Sequence, residues 1–229
     1  MPIAPNDFVH LHLHSEFSLL DGLGRINDLV SEASAHGFDA LAITDHGSLY
    51  GAMAFYQACR ARQIKPIIGV EAYVARRSMS DREGKADAQP YHVTLLARDW
   101  NGYQNLCRII TAAHLDGYYY KPRLDRELLA RYSEGIIGMS ACLGGEVAKA
   151  LEVDDYESAR RVVGEYREIL GRKLRIIGQT QEAESFTTKV KTMDFSKAVK
   201  DLGHDPVVTP EEGIRRTVEW MKWFYRLQD

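Results

Sequence analysis

The chain has 229 residues, 45% of them hydrophobic and 27% charged, which is ordinary for a globular protein of one large or two small domains. Its formal net charge of −3 excludes an autonomous binder of duplex DNA, whose surface is strongly basic. The apolar runs are too short to span a bilayer, and the first residues lack the pattern of a secretory signal. Three cysteines are too few for a disulfide scaffold, so we expect a cytoplasmic location and no membrane partner.

Short β-rich segments alternate with amphipathic helical segments along most of the chain. In chain order, the predicted elements are a strand at 8–13, a helix at 26–33, a strand at 40–44, a helix at 49–62, strands at 66–74 and 91–97, a helix at 103–113, a strand at 135–139, a helix at 156–170 and a strand at 174–177. The charged segment 76–90 lacks periodicity and is predicted to be a surface loop. This alternation predicts an α/β fold with a largely parallel sheet or barrel, whose chemistry lies at the carboxyl ends of the strands.

The character of the sequence changes near Gly171. The polar residues 179–191 are predicted to be an exposed linker, and the residues after them show helical periodicity. The predicted organisation is a domain over 1–171, or to 178, followed by the linker and a helical extension over 192–229.

Side chains that bind metals occur at or near the ends of the predicted strands. They are His12, His14, Asp21, His46, Glu71, His92 and Cys142. His12 and His14 are two residues apart on a strand, so both point to the same face. A set of imidazoles, carboxylates and one thiolate suits Zn²⁺, Mn²⁺ or Fe²⁺ better than Mg²⁺ or Ca²⁺. His10 is left outside this predicted site.

Each of these residues also has a structural interpretation. A histidine beside a strand is commonly a hydrogen-bonded structural residue, and a single cysteine is commonly a small buried hydrophobe. Several such residues at successive strand ends are harder to explain by packing, so their joint placement favours a metal site.

A second pattern of interest is the run Tyr118-Tyr119-Tyr120-Lys121-Pro122-Arg123. Aromatic rings interleaved with cations are typical of proteins that bind single-stranded nucleic acid. A packed or interdomain loop is the alternative interpretation.

Two segments carry a family resemblance. They are FVHLHLHSEFSLLDG at 8–22 and LAITDHG at 41–47. They resemble the first two motifs of the polymerase-and-histidinol-phosphatase (PHP) family, and most closely the N-terminal PHP domain of bacterial DNA polymerase III alpha subunits. The segments IKPIIGVEAYV, YHVTLLARDWNGYQNL, GYYYKPRLDRELL and GIIGMSACLGGEV match in order, so the resemblance covers about residues 6–171.

This resemblance implies an incomplete or distorted (β/α)7 barrel with up to three metal ions at its carboxyl end. It assigns His12 and His14 to one metal, with Glu71 as a bridge to the next. Glu71, His92 and Cys142 are assigned to the second metal.

The third metal is assigned to Asp21 and His46.

The implied activity is metal-dependent hydrolysis of a phosphate ester or of a 3′ DNA end, with Glu71, His12 and His14 as catalytic residues. Other DNA polymerase subunits are the partners of the parent proteins.

The family's last motif, an Asp-x-His on the final strand, has no counterpart after Gly171. Only the site of Glu71, His92 and Cys142 is then complete, because that motif supplies ligands to the other two. Two hypotheses follow, a domain with residual phosphoesterase or 3′–5′ exonuclease activity and a catalytically silent structural module. Polymerisation by this chain alone is excluded, since the polymerase carboxylates of the family lie in other domains.

Residues 189–226 resemble a different family, the C-terminal end of NAD-dependent nucleotide-sugar epimerases and dehydratases. The Gly-rich NAD-binding turn and the Tyr-x-x-x-Lys motif are absent from the chain, so no NAD is expected. The chain then has the appearance of a chimera of two unrelated pieces.

An open barrel leaves an edge strand and an apolar flank. We expect Ile214, Val218 and Met221, or a second copy of the chain, to cover that flank.

Overall fold

The computed structural model describes residues 8–19, residues 21–171 and the backbone of residues 174–175. The strands in these residues are β1 (Ala40–Ile43), β2 (Lys65–Val74), β3 (Tyr91–Ala97), β4 (Tyr118–Tyr119), β5 (Lys121–Leu124), β6 (Ile136–Met139) and β7 (Leu174–Arg175). The helices are α1 (Ile26–Ala35), α2 (Ala52–Ala61), α3 (Gly84–Ala88), α4 (Trp100–Leu115), α5 (Arg126–Arg131), α6 (Glu146–Leu151) and α7 (Tyr156–Leu170).

The long strand β2 connects the parts of the sheet. Its first half pairs in parallel with β1, and its second half pairs antiparallel with β3. Its last two residues pair in parallel with β5. On the far side of β3, β6 pairs antiparallel and is followed by a parallel β7. The described strands form an open sheet that does not close, which confirms an α/β fold of the incomplete-barrel type.

The predicted sheet is largely parallel, and β3 departs from this because it is antiparallel to both of its sheet neighbours. The segment between β2 and β3 contains only the five-residue helix α3. A parallel return requires a crossover of a dozen or more residues, usually a helix packed on the sheet. Because α3 is too short to serve as that crossover, β3 returns antiparallel beside β2.

The predicted N-terminal strand at 8–13 is an extended segment beside β1 rather than a regular strand. The N–H of Ala42 donates to the carbonyl of His10, and that of Thr44 donates to the carbonyl of Leu13. The Leu13 N–H donates to the Thr44 side-chain oxygen at 2.8 Å. A side chain therefore replaces one backbone partner and interrupts the ladder.

Two apolar cores hold the helices against the sheet. The larger core lies between β2, β3 and β6 and the helices α4, α5 and α7. The smaller core packs α1 and α2 against β1. In α2 the buried face carries Phe55 and Cys59, whereas Met53 and Tyr56 are exposed.

The charged segment 76–90 is anchored by a buried cation rather than being wholly solvated. The side chain of Arg123 has no exposed surface. Its guanidinium donates to the carbonyl oxygens of Met79, Asp81 and Asp87 at 2.8–3.1 Å, and to that of Gly117 at 3.0 Å. Arg123 is therefore a structural residue, which removes it from the predicted nucleic-acid run.

The predicted linker at 179–191 and the helical extension over 192–229, with Ile214, Val218 and Met221, lie outside the described residues. No helix in the described part of the chain is long and apolar enough to cross a membrane.

Replacing Arg123 should strongly destabilise the domain. We expect Arg123→Met to lower the free energy of unfolding by about 3 kcal/mol, because four carbonyl groups, two of them in buried hydrogen bonds, lose a charged donor. Urea denaturation of the full chain measures the change. Arg82→Met is the matched control, since Arg82 is exposed and donates a single hydrogen bond to the Asp116 carbonyl. An equal loss in both variants would contradict this account.

Candidate metal centre

The site is built around the carboxylate of Glu71, which lies within β2 and is 1% exposed. Three imidazoles approach its Oε2 atom. His12 Nε2 lies at 3.2 Å, His14 Nε2 at 3.0 Å and His46 Nδ1 at 3.1 Å. The first two come from the N-terminal segment beside β1, and the third comes from the loop that follows β1. Two neighbouring chain segments therefore converge on one oxygen atom.

The other oxygen of Glu71, Oε1, contacts a second group of side chains. His92 Nδ1 lies at 3.0 Å and Cys142 Sγ at 3.2 Å, and these two atoms are 3.6 Å apart. Cys142 is positioned by the loop after β6, where the Gly144 carbonyl accepts a hydrogen bond from the His92 N–H. A Cβ atom at Gly144 would lie 2.9 Å from His92 Nδ1, so only glycine lets this loop approach so closely.

A third contact lies at the outer edge of the site. The Nε2 atom of His46 is 2.7 Å from Asp21 Oδ2, and the ring of His14 stacks on that of His46 with centroids 4.2 Å apart. The ligand atoms of His14, Asp21 and His46 all lie within 4.8 Å of one another. The same is true of His12, His14 and Glu71, and of His46, Glu71 and His92.

The structure thus brings together all seven side chains that the sequence analysis singled out. His10 lies outside the group, as expected. It is exposed, and its ring packs against Phe8 and Phe38 with centroids 4.7 and 5.5 Å apart.

A buried carboxylate behind the site was missed by sequence reasoning. Asp45 is 2% exposed and accepts hydrogen bonds from the N–H and hydroxyl of Ser15 and from the hydroxyl of Ser18. The Ser18 hydroxyl in turn lies 3.2 Å from His14 Nδ1. The signal that could have revealed this support is that Ser15 and Ser18 follow His14 closely and Asp45 directly precedes His46.

This support fixes which nitrogen of His14 faces the site. The Ser18 hydroxyl hydrogen is donated to Asp45, so the Nδ1–H of His14 must donate to the Ser18 oxygen. The Nε2 atom, which lies 3.0 Å from Glu71 Oε2, is therefore the nitrogen that faces the site and can bind a proton or a metal ion. Such an outer hydrogen bond is how proteins orient metal-binding imidazoles.

Whether a metal ion fits the site can be judged from three of its buried atoms. His12 Nε2, His46 Nδ1 and Glu71 Oε2 have no aligned hydrogen-bond partner, although the two nitrogens lie within 3.2 Å of the oxygen. Unpaired buried polar atoms are costly. A cation shared by these atoms would satisfy all three, so the residues present fit a divalent metal ion.

The protonation states of the metal-free site follow from burial and contact. Burial alone would raise the pKa of Glu71, but contacts with the imidazoles and the Cys142 thiol outweigh it and hold that pKa far below its usual range. Contact with Cys142 and then with Glu71 raises the pKa of His92 to about 9. Burial opposes the rise at His14, but the Glu71 contact prevails and raises that pKa too. In the absence of a metal ion, protons bound to the neighbouring imidazoles therefore stabilise the ionised carboxylate of Glu71.

An open α/β sheet that gathers imidazoles, carboxylates and a thiol at one rim defines an α/β domain with a candidate metal centre. Residues 10–178 match the family model of the PHP domain, and the chain belongs to this family. The family expected from the motifs is thereby confirmed.

Several curated relatives are named DNA polymerase III subunit alpha. DNA polymerase III subunit alpha of Aquifex aeolicus is 43% identical over 171 residues, which cover 72% of this chain and 15% of the relative. That of Thermus aquaticus is 47% identical over 169 residues, covering 72% and 14%. That of Saccharopolyspora erythraea is 36% identical over 229 residues, covering 91% and 19%. The chain therefore spans less than a fifth of the length of these relatives.

Among solved structures, a Bifidobacterium adolescentis protein named as a metal-dependent phosphoesterase is similar over 73% of this chain and 85% of its own. The identity is 12% and the TM-score is 0.42.

Metal binding should release protons at neutral pH. His92, with a pKa of about 9, is protonated at pH 7.5 in the metal-free chain, whereas a metal ligand must be neutral. We therefore expect zinc affinity to rise as the pH rises toward 9 and to fall as the pH drops. Calorimetric titration in buffers of different ionisation heat counts the protons released.

His92→Gln should lower that count by about one, because the substituted side chain carries no titrating proton. His36→Gln should leave the count unchanged, since His36 is exposed and pairs only with Glu32 among the described residues. An unchanged count in His92→Gln would contradict the assigned protonation state.

Proposed function

We propose that this PHP domain binds divalent metal ions around Glu71 and hydrolyses phosphate esters. The observation that carries the proposal is the set of buried atoms without hydrogen-bond partners, two imidazole nitrogens and one carboxylate oxygen, that meet at one point. Packing alone gives no reason to bury them together, whereas cation binding does.

The two oxygens of Glu71 support the ligand sets that the family resemblance assigns, with His46 Nδ1 as an additional neighbour 3.1 Å from Oε2. Glu71 Oε2 would hold one ion with His12 and His14, and Glu71 Oε1 would hold another with His92 and Cys142. The two oxygens of one carboxylate face the two sets, so Glu71 suits the role of bridge.

The third set is Asp21 with His46, at the outer edge. Imidazole and thiolate ligands favour zinc, with manganese or iron as the alternatives.

Bound divalent ions would lower the pKa of a water molecule and neutralise charge on the phosphoryl group. The chain's own contribution is to hold the ligands in place. Glu71 stays ionised because its pKa is far below neutral pH. Asp45 and Ser18 orient His14 from behind. The substrate class is a phosphomonoester or a 3′ DNA end, with Glu71, His12 and His14 as the catalytic residues.

A structural role is the second candidate, and the sequence gives a specific reason for it. No Asp-x-His follows Gly171, so two of the three ligand sets lack members. A metal at Glu71 would still connect β2 and β3 to the N-terminal segment and to the loops that follow β1 and β6. Such a cross-link would stabilise the fold without catalysis.

In the longer relatives, we propose that the domain works beside the other subunits of the polymerase, in the cytoplasm. Among the described strands the sheet does not close, and we propose that a second copy of the chain pairs with its edge. Sedimentation at several protein concentrations tests that association.

Zinc content is the first test of the site. We expect at least one zinc ion per chain when chelators are avoided, held by Glu71, His92 and Cys142 at about 2.0–2.3 Å. Anomalous scattering at the zinc, iron and manganese edges identifies the ion. Glu71→Ala should remove it, and Cys107→Ala, on α4 away from the site, should not. Full metal retention in Glu71→Ala would refute the assignment.

Hydrolysis should be slow. Misplacing a reacting group by about 1 Å can cost about 100-fold, and the chain lacks the ligands of the last family motif. We therefore expect activity at least about 100-fold below that of a complete PHP phosphoesterase, dependent on added Mn²⁺ or Zn²⁺. It should disappear in Glu71→Ala and persist in Cys107→Ala. Absence of any activity in a zinc-loaded chain would favour the structural role.

A further inference from the structure

The loop after β1, which carries His46, lies outside the paired strands. Its backbone joins β2 through an isolated bridge between His46 and Glu71. The His46 ring nevertheless contacts two parts of the centre, with Nδ1 3.1 Å from Glu71 Oε2 and Nε2 2.7 Å from Asp21 Oδ2. Because no strand pairing holds this ring between the two carboxylates, its position depends on other contacts of the loop.

Three hydrogen bonds hold consecutive backbone groups of this loop. The His46 N–H donates to the Ser18 hydroxyl oxygen at 3.1 Å, and the Gly47 N–H donates to the Glu71 carbonyl at 2.9 Å. The carbonyl of Gly47 accepts a hydrogen bond from Nε2 of His114 at 2.9 Å. Together these bonds fix the peptide groups on both sides of the His46 ligand.

His114 differs from the other two anchors because it comes from outside the centre. Ser18 and Glu71 belong to the site, whereas His114 lies in the last turn of α4. That helix packs into the larger core together with β2 and β3. The elements on either side of the His46 loop, β1 and α2, belong to the smaller core. The His114 bond therefore ties this loop to the core that contains the strands of the other ligands.

The chemistry of this contact is settled by its acceptor. A carbonyl oxygen only accepts, so Nε2 of His114 carries a hydrogen atom and donates it. Gly47 is buried, and no other group within residues 8–19 and 21–171 donates to its carbonyl. Loss of the imidazole would leave a buried acceptor unpaired, which is costly. The loop would then shift toward water, and the His46 ring would move with it.

We infer that His114 is a positioning residue that holds the His46 imidazole between Glu71 and Asp21. It acts through the Gly47 carbonyl. Where a divalent ion occupies the outer set of Asp21 and His46, the placement of that imidazole sets the affinity for the ion. This second part rests on the proposed function, whereas the first part concerns the metal-free chain.

Amide hydrogen exchange of the metal-free full chain, followed by NMR, tests the positioning. We expect His114→Leu to speed exchange of the Gly47 and His46 N–H groups about tenfold, because their loop loses one hydrogen bond. Amides of β3 should keep their exchange rates within about twofold, which reports that the fold is intact. His114→Gln should restore protection, since its side-chain amide provides a donor in place of Nε2.

His36→Leu is the matched control. The Nδ1 atom of His36 also contacts a backbone carbonyl, that of Glu32, at 2.9 Å, but on the exposed surface at the end of α1. Its loss should leave exchange at Gly47 and His46 unchanged. Exchange at these two amides that is equal in His114→Leu and the unchanged chain would overturn the inference. Failure of His114→Gln to restore protection would overturn it as well.

Cobalt binding tests the consequence for the outer set. Cobalt held by Cys142 gives a thiolate charge-transfer band, whereas cobalt held only by Asp21 and His46 does not. We expect His114→Leu to retain the band and to weaken binding of the cobalt that produces no band about tenfold. His114→Gln should bind cobalt as the unchanged chain does.

Equal cobalt affinities in all three chains, or the absence of any ion outside the thiolate set, would overturn the metal part of the inference. If the unchanged chain binds no cobalt at all, the proposed function fails. Hydrogen exchange still decides whether His114 positions His46, because that readout requires no metal ion.

Discussion

The buried carboxylate of Glu71 is the group on which both the fold and the site depend. An ionised carboxyl group inside a sheet is costly unless it is paired and hydrogen-bonded. Here it contacts four imidazoles and a thiol, contributed by the N-terminal segment, the loops after β1 and β6, and β3. Each of these segments contributes a side chain that contacts the Glu71 carboxylate. The site is therefore also a junction of the tertiary structure.

The antiparallel course of β3 has a direct consequence for this junction. His92 is the second residue of β3 and lies opposite Tyr73 near the end of β2. Had β3 run parallel to β2, its last residues rather than its first would lie at that rim. The connection between β2 and β3 contains only a five-residue helix and reverses the chain direction. As a result, His92 at the start of β3 joins ligands that follow the ends of other strands.

The side chains around the ligands have two roles. Some of them orient a ligand through hydrogen bonds, and one of them carries a positive charge. Asp45, Ser15 and Ser18 form a buried hydrogen-bonded group that sets the orientation of His14. On the opposite side, Tyr73 separates the imidazoles from the exposed ammonium of Lys121.

The sequence by itself determined the family, the α/β class, most of the elements and the seven side chains that the structure brings together around Glu71. It could do so because strand periodicity and residue type are local properties, and because the ends of neighbouring strands meet at one edge. The strand β3 was predicted at its observed bounds, Tyr91–Ala97. The short elements α3, β4, β5, α5 and α6 were missed, since they have too few residues to show a period.

Tertiary structure alone decided the direction of β3, the burial of Arg123 and the supporting role of Asp45. Direction depends on how a connection packs, and burial depends on which distant backbone groups need a donor. Arg123 and Lys121 are two residues apart in one strand and look alike in the sequence. One is enclosed by carbonyl groups from two other segments, whereas the other is exposed beside an aromatic ring. Their difference arises from residues far away in the chain, which no local pattern encodes.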